Sequence, residues 1–294
     1  MTQTLNNSLA PLGAIRIAGP DRAEFLQGQL TQDIDAVQPG GTLLTGWASA
    51  KGRLLFTGWV LDWNNAYWLL IPEELIAATV SRLKMFALRA QVEIEMPASA
   101  LYWAEVDSIK HPISDFFNLD FSENKAVAFS LTDKSRLALA LTTGEGLASA
   151  PDDTEGWRLV CIRAGIPNIY TQTQEAFVPQ MLNLDLLGGI SFSKGCYVGQ
   201  EIVARTQNLG RIKRRMYGFV HAGRAAANPG DAIWADGRNA GVIVDALTAD
   251  DRTELLAVVR IEALQSRFSL DDAGVCALSR ERLPYPVPES LDET

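Results

Sequence analysis

The sequence predicts an α+β fold that gives way to an all-β unit toward its C-terminal end, and three observations predict it. Residues 42–50, 54–63 and 66–71 are consecutive runs rich in Leu, Val and Trp, parted only by KGR at 51–53 and by Asn64 and Asn65, which is the pattern of an antiparallel meander. A helical stripe of Ile76, Val80, Leu83 and Ala87 follows from Pro72, and further helices occur singly among strands rather than in a regular strand-helix-strand repeat. Beyond Gly210 the segments RRMYGFV, DAIWAD, AGVIVDAL, TELLAVVRI and AGVCALS alternate with turn-forming Asn, Asp and Gly, so residues 211–294 read as a small barrel or sandwich.

The remaining elements follow from local chemistry. Ala14 to Ile17 alternate as a short strand, and GPDRAEFLQGQLTQDI then starts a helix, with Pro20 in its first turn and Asp21 and Glu24 near its positive end. Leu26 and Leu30 share the buried face. Gly28 within that pattern costs roughly 1 kcal/mol relative to Ala and marks an early helix end or a close approach. Val92, Ile94 and Met96 alternate as a strand, and 101–106, 125–131 and 136–142 read as three more. A polar loop from Thr143 to Glu155 leads into a helix carrying Trp157, Val160 or Cys161, and Ala164, ended by Gly165 and Pro167.

A chain of 294 residues exceeds the size at which one core stays undivided, so two or three domains are expected. The N-terminal MTQTLNNSLAPLG has neither a basic nor an apolar leader region, and no run of eighteen apolar residues occurs, so the chain reads as cytoplasmic with no membrane partner. A net charge of −9 argues against a general nucleic-acid binder. Three widely spaced cysteines without a CxxC pair exclude a disulfide framework and a cysteine-rich metal site, and the isolated His111 and His221 do not suggest zinc. No metal is expected. Cys161 on its helix and Cys276 on a strand read as packing residues.

One stretch differs from its surroundings: GGISFSKGCYVGQEIVARTQNLGRIKRR. Gly188 and Gly189 precede a short strand, Gly195 and Gly199 flank Cys196 and Tyr197, and Gln200 to Asn208 reads as a helix ended by Gly210. Cys196 therefore sits on a tight turn before a helix N-terminus, where the helix dipole and the Lys194 ammonium favour thiolate. On spacing alone a glycine-rich turn into which a small cysteine merely fits stands slightly ahead of that reading. Arg205, Arg211, Lys213, Arg214 and Arg215 form a basic run without an acidic residue, either an anion site for a polyglutamate tail or an RNA backbone, or a solvated edge.

KGCYVGQE matches all fixed positions of the signature K-G-C-Y-x-G-Q-E of the YgfZ family, relatives of the folate-binding aminomethyltransferase of glycine cleavage. The resemblance extends through FLQGQLTQD at 25–33, KGR at 51–53, WRLVCIRAGIP at 157–167, FVPQMLNLD at 177–185, GGISF at 188–192 and LPY at 283–285, in family order. It implies two mixed α/β lobes of the aminomethyltransferase type over residues 1–210, enclosing a folate channel, and a C-terminal β-barrel over 211–294. The implied function is that of a tetrahydrofolate-binding accessory protein. It supports iron-sulfur enzymes and tRNA thiomodification by a radical-SAM methylthiotransferase, with Cys196 as the functional thiol beside Lys194 and Tyr197. The resemblance also points to Trp157, Gln27, Gln200 and Glu201 as folate contacts, and sets Leu12 where the family has a second folate-binding tryptophan. The paired aspartates of the transferases fall on Phe56 and Thr57, so the resemblance carries fold and ligand rather than that reaction. Two alternatives from other classes stand beside it: a one-carbon transferase, and a tRNA-binding module using the basic run.

Overall fold

The computed structural model describes residues 8–105, 126–130, 137–143, 152–208 and 211–293. They fall into two compact units, both discontinuous in sequence: Met1–Gly46, Phe56–Trp157 and Ser193–Tyr197 form the first, and Trp47–Leu55, Arg158–Phe192 and Val198–Thr294 the second. The loop after Thr143 and the expected helix terminator Gly210 lie wholly or partly outside the described residues, as does His111.

In chain order the first elements are β1 (Ser8–Leu9), β2 (Leu12–Ala18), α1 (Arg22–Gln27), β3 (Thr42–Ala48), β4 (Leu54–Trp63) and β5 (Ala66–Pro72). They are followed by α2 (Ile76–Phe86), β6 (Glu93–Glu95), β7 (Ser99–Glu105), β8 (Ala126–Ser130), β9 (Leu137–Thr143) and α3 (Thr154–Ala164). The expected meander exists, but it is completed by the N-terminal strand: the five-stranded order is β3-β4-β5-β2-β6, and a second sheet has the order β1-β7-β9-β8. β4 and β5 are apolar almost throughout because both of their faces are covered. Helix α1 begins two residues later than Pro20 suggested, since the Asp21 carboxylate accepts the Gln91 N–H at 2.7 Å instead of capping the helix. It ends at Gln27 with Gly28 still in right-handed geometry, so Gly28 marks the early end and no close approach.

The second unit holds α4 (Gln200–Asn208) and a closed barrel of β10 (Arg214–His221), β11 (Ala232–Ala235), β12 (Arg238–Ala249), β13 (Arg252–Arg260), β14 (Phe268–Ser269) and β15 (Ala277–Glu281). β10 pairs with both β13 and β15, which closes the ring and leaves no strand edge there. Phe219 and Phe268 pack at 4.9 Å in its core. Two sequence readings are corrected. No strand forms at 190–192 after the paired glycines. Cys276 precedes β15 rather than lying in a strand, because the Asp271 carboxylate accepts the N–H groups of Val275 and Cys276 and holds them in a turn. Cys161 is fully buried on α3, as its spacing predicted, and burial pushes its thiol far up.

A bulge in β12 between Ile243 and Asp245 turns the Asp245 carboxylate inward. There it accepts from Arg158 Nε and Nη2 at 3.1 and 2.6 Å and from the Tyr170 hydroxyl at 2.5 Å, with only 1% of the residue exposed. Removing the cation from so buried a carboxylate is costly. Arg158→Met is expected to lower unfolding free energy by about 3 kcal/mol in urea titrations, while Arg205, paired with Glu201 on the exposed face of α4, is expected to be nearly neutral to the same change.

Candidate functional site

The first half of KGCYVGQE is held by a buried ammonium. Beyond α1 the chain turns through Leu30 to Asp33, and the Gln27 carboxamide fixes the far end of that turn with both of its atoms: Nε2 donates to Asp33 Oδ1 at 2.7 Å, and Oε1 accepts the Ile34 N–H at 2.8 Å. Thr31 ties the same turn to β3, its N–H donating to Gly46 O at 2.9 Å and its Oγ1 accepting the Gly46 N–H at 2.8 Å. Lys194 Nζ then donates to the carbonyls of Leu30 and Gln32 at 2.9 and 2.7 Å and lies 5.2 Å from the Tyr197 ring centre. The sequence expectation placed this ammonium at the thiolate; the structure gives it an anchoring role on two main-chain carbonyls. Gln27, expected at folate, likewise builds the anchor's receptor.

Burial lowers the Lys194 pKa to about 8, against the opposing pull of Asp33 and Asp35, and burial pushes the Tyr197 hydroxyl up to about 12. A lysine whose folded value lies below its unfolded value of about 10.5 binds fewer protons when folded in that window. Stability therefore gains from this group as pH rises from about 8 to about 10.5. Denaturant titrations across that range are expected to show this rise in the parent protein and to lose it in Lys194→Met, which also strands two carbonyls at a cost of about 1–3 kcal/mol.

Between buried Lys194 and buried Tyr197, Cys196 is exposed, and Gly195 beside it faces open space. The thiol precedes α4 by four residues, with Val198 and Gly199 forming the turn itself. In the second unit Gly199 has φ +83°, and a Cβ there would stand 2.4 Å from the Ser49 carbonyl oxygen. Gly52 of KGR, at φ +67°, would drive a Cβ to 2.7 Å from Ile202 Cβ. Two left-handed glycines thus let the 49–53 turn and the first turn of α4 meet backbone to backbone. Gln200 opens α4 half-buried, and Glu201 is exposed and paired with Arg205 at 2.7 Å.

Trp157 lies in the first unit with 1% exposure, edge-on to Trp59 at 6.1 Å and to Trp103 at 6.3 Å between ring centres. Among the described residues, the buried indole N–H groups of Trp59 and Trp103 have no hydrogen-bond partner. Sequence reasoning singled out neither; both sit in apolar strands, and only their meeting at Trp157 distinguishes them. Leu12 lines a cleft of about 730 Å³ in the same unit. Phe56 and Thr57 are buried, so no carboxylate stands at either transferase position.

The basic run does not form one surface. Arg215 is turned inward on β10 and makes a two-pronged ion pair with Asp185 at 3.0 and 2.8 Å, also donating to Gln180 O and Asn183 Oδ1. Arg211, Lys213 and Arg214 are exposed, and Arg205 is exposed beside Glu201. His221 Nδ1 lies 2.8 Å from Ala277 O. Among the described residues no cluster of three or more His, Cys, Asp or Glu side chains gathers, and no helix is long and apolar enough to cross a membrane.

Comparison with known proteins adds sequence and fold to this geometry. No family model matches the chain. The chain is 29% identical over 306 residues to the tRNA-modifying protein YgfZ of Yersinia pestis, covering 96% of this chain and 92% of that protein. It is also 29% identical to an uncharacterized protein of Haemophilus influenzae, covering 96% and 98%. The glycine cleavage system aminomethyltransferase T of Bartonella henselae superposes with a TM-score of 0.72 over 95% of this chain and 87% of that one, at 12% identity, which establishes a shared aminomethyltransferase-like fold. The tRNA-modifying protein YgfZ of Colwellia psychrerythraea is 30% identical over 234 residues, 74% of this chain and 72% of its own length. With the complete KGCYVGQE anchored as described, that similarity establishes that the chain belongs to the YgfZ family.

Proposed function

We propose that this protein is a folate-binding accessory factor in tRNA modification, supporting the synthesis or repair of iron-sulfur enzymes such as a radical-SAM methylthiotransferase, with Cys196 as its working thiol. The observation that carries the reading is an exposed thiol presented between two buried anchors, Lys194 and Tyr197. A flexible surface cysteine does not require a lysine to be taken out of water two residues away. The names of the relatives in Yersinia and Colwellia support the tRNA-modifying role. A single thiol supplies one of the four ligands a cluster ordinarily takes, so cluster chemistry here draws its other ligands from the client enzyme.

One physical ground supports folate at the tryptophan cluster: two buried indole donors, without acceptors among the described residues, flank Trp157. Such donors are costly unless paired. A reduced pterin carries ring nitrogens and a carbonyl that accept from them, and when bound it supplies one-carbon or reducing chemistry. Trp157 would contact it, with Trp59 and Trp103 holding its acceptors. Gln200 and Glu201 are proposed on resemblance alone. Aminomethyl transfer is disfavoured because Phe56 and Thr57 offer no carboxylate to the reacting amine. Localisation in the cytoplasm accords with the reading.

The decisive experiment pairs two readouts. In cells relying on this protein, Cys196→Ala and Cys196→Ser are expected to deplete thiomethylated tRNA nucleosides, while Cys276→Ser leaves them unchanged; normal thiomodification in the Cys196 variants ends the thiol assignment. In vitro, tetrahydrofolate is expected to quench tryptophan fluorescence of the parent and to bind Trp157→Phe at least tenfold more weakly, about 1.4 kcal/mol. Equal quenching in both would remove Trp157 from the site.

Direct tRNA contact is carried by Arg211, Lys213 and Arg214. Replacing all three with Gln is expected to lower tRNA affinity and flatten its salt dependence by up to three ion equivalents. Arg215→Gln is expected to destabilise the fold instead, since it unpairs the buried Asp185.

A further inference from the structure

The second unit settles most cations of its barrel in pairs. Arg215 reaches Asp185, Arg224 lies 3.9 Å from Asp251, Arg252 meets Glu254 and Glu281, Arg267 meets Asp236, and Arg280 meets Glu289. Two neighbouring arginines stand outside this pattern. The antiparallel register of β10 with β13 sets Arg214 directly opposite Arg260, so two guanidinium groups leave adjacent strands on one face. Among the described residues neither has an ion-pair partner. The ladder fixes them there, because one step beyond the pair the Ile261 N–H donates to Lys213 O at 3.0 Å.

Like charges directly opposite on a sheet are destabilising. Arg214 is exposed and Arg260 half-buried, and Glu262, the carboxylate nearest to Arg260 in sequence, sits exposed on the short turn after β13. An anion with several acceptor oxygens turns such a pair from a cost into a grip, and a phosphodiester offers two non-bridging oxygens to two planar guanidinium groups. The approach to β10 carries more charge of the same sign. Arg211 and Lys213 are exposed on either side of Ile212, whose buried side chain pins the segment.

We infer that Arg260 belongs to the tRNA-binding surface, where it and Arg214 hold one backbone phosphate between them while Arg211 and Lys213 meet adjoining ones. The inference rests on the reading that this face contacts tRNA directly, and it adds a second strand of the barrel to a surface so far carried by one stretch of chain. Phosphate contacts set register on the backbone and read no bases, so the surface accepts RNA without choosing among sequences.

The test titrates the full-length protein with unfractionated tRNA over a series of salt concentrations. Arg260→Gln is expected to weaken binding severalfold and to lower the salt slope by about one, whereas Arg260→Lys keeps the slope and Arg224→Gln, elsewhere on the barrel surface, changes neither. Since two arginines share one phosphate, Arg214→Gln combined with Arg260→Gln is expected to lose less than the two single losses multiplied together. Arg260→Glu sets a carboxylate opposite Arg214 and is expected to raise the melting temperature of the free protein while weakening tRNA binding further than Arg260→Gln. Parental affinity and slope in Arg260→Gln, alongside weak binding when Arg211, Lys213 and Arg214 are all Gln, would overturn the inference and leave direct tRNA contact standing. Fully multiplicative losses in the double variant would overturn the shared phosphate. Parental binding by the triple variant removes the tRNA contact, and the inference with it.

Discussion

The candidate site depends on one interaction, the donation of the Lys194 ammonium to the carbonyls of Leu30 and Gln32. A charge is taken out of water, which is expensive, and the cost is met by main-chain dipoles and by the nearby carboxylates of Asp33 and Asp35. Everything around the lysine serves that arrangement. Gln27 closes the turn that offers the carbonyls, Thr31 fastens it to β3, and Tyr197 covers the ammonium with its ring. FLQGQLTQD and KGCY, well over a hundred residues apart in sequence, are thus two halves of one clasp. Cys196 is its exposed product.

The interaction also explains why a lysine and not an arginine stands at 194. Two carbonyls at 2.9 and 2.7 Å form a small, convergent target that a compact ammonium with three rotatable donors can satisfy. A planar guanidinium would bring donors that the turn has no acceptors to meet. The same reasoning runs in reverse at Arg215 and Arg158, where carboxylates of Asp185 and Asp245 present two oxygens in a plane and an arginine matches them.

The strands and helices were legible in the sequence because their signals are local: the meander, α2, α3, α4 and most barrel strands follow from periodicity and turn residues. What escaped was decided at a distance. Lys194 read as an electrostatic neighbour of the thiol because its true partners are main-chain carbonyls, which leave no trace in residue type. Arg215 read as part of a basic surface because its partner, Asp185, comes thirty residues earlier on a different element. Cys276 read as a strand residue until Asp271 bent the chain around its own carboxylate. Trp157 was identified by its place in a family pattern, whereas Trp59 and Trp103 became visible only when three rings met.

The meeting of Gly52 with Gly199 carries a last consequence. The obstacle to a side chain at Gly199 is a carbonyl oxygen of the backbone, at 2.4 Å, and Gly52 Cα stands 3.1 Å from the same point. No replacement of a neighbouring side chain relieves a clash with main chain, so Gly199 has no compensating partner elsewhere in the molecule, whereas Gly52 meets the side chain of Ile202 first. KGR and the GQE end of the octapeptide are therefore the two imprints of a single steric contact. A designer who wished to transplant the thiol segment onto another scaffold would have to carry the 49–53 turn with it, as one part in two pieces.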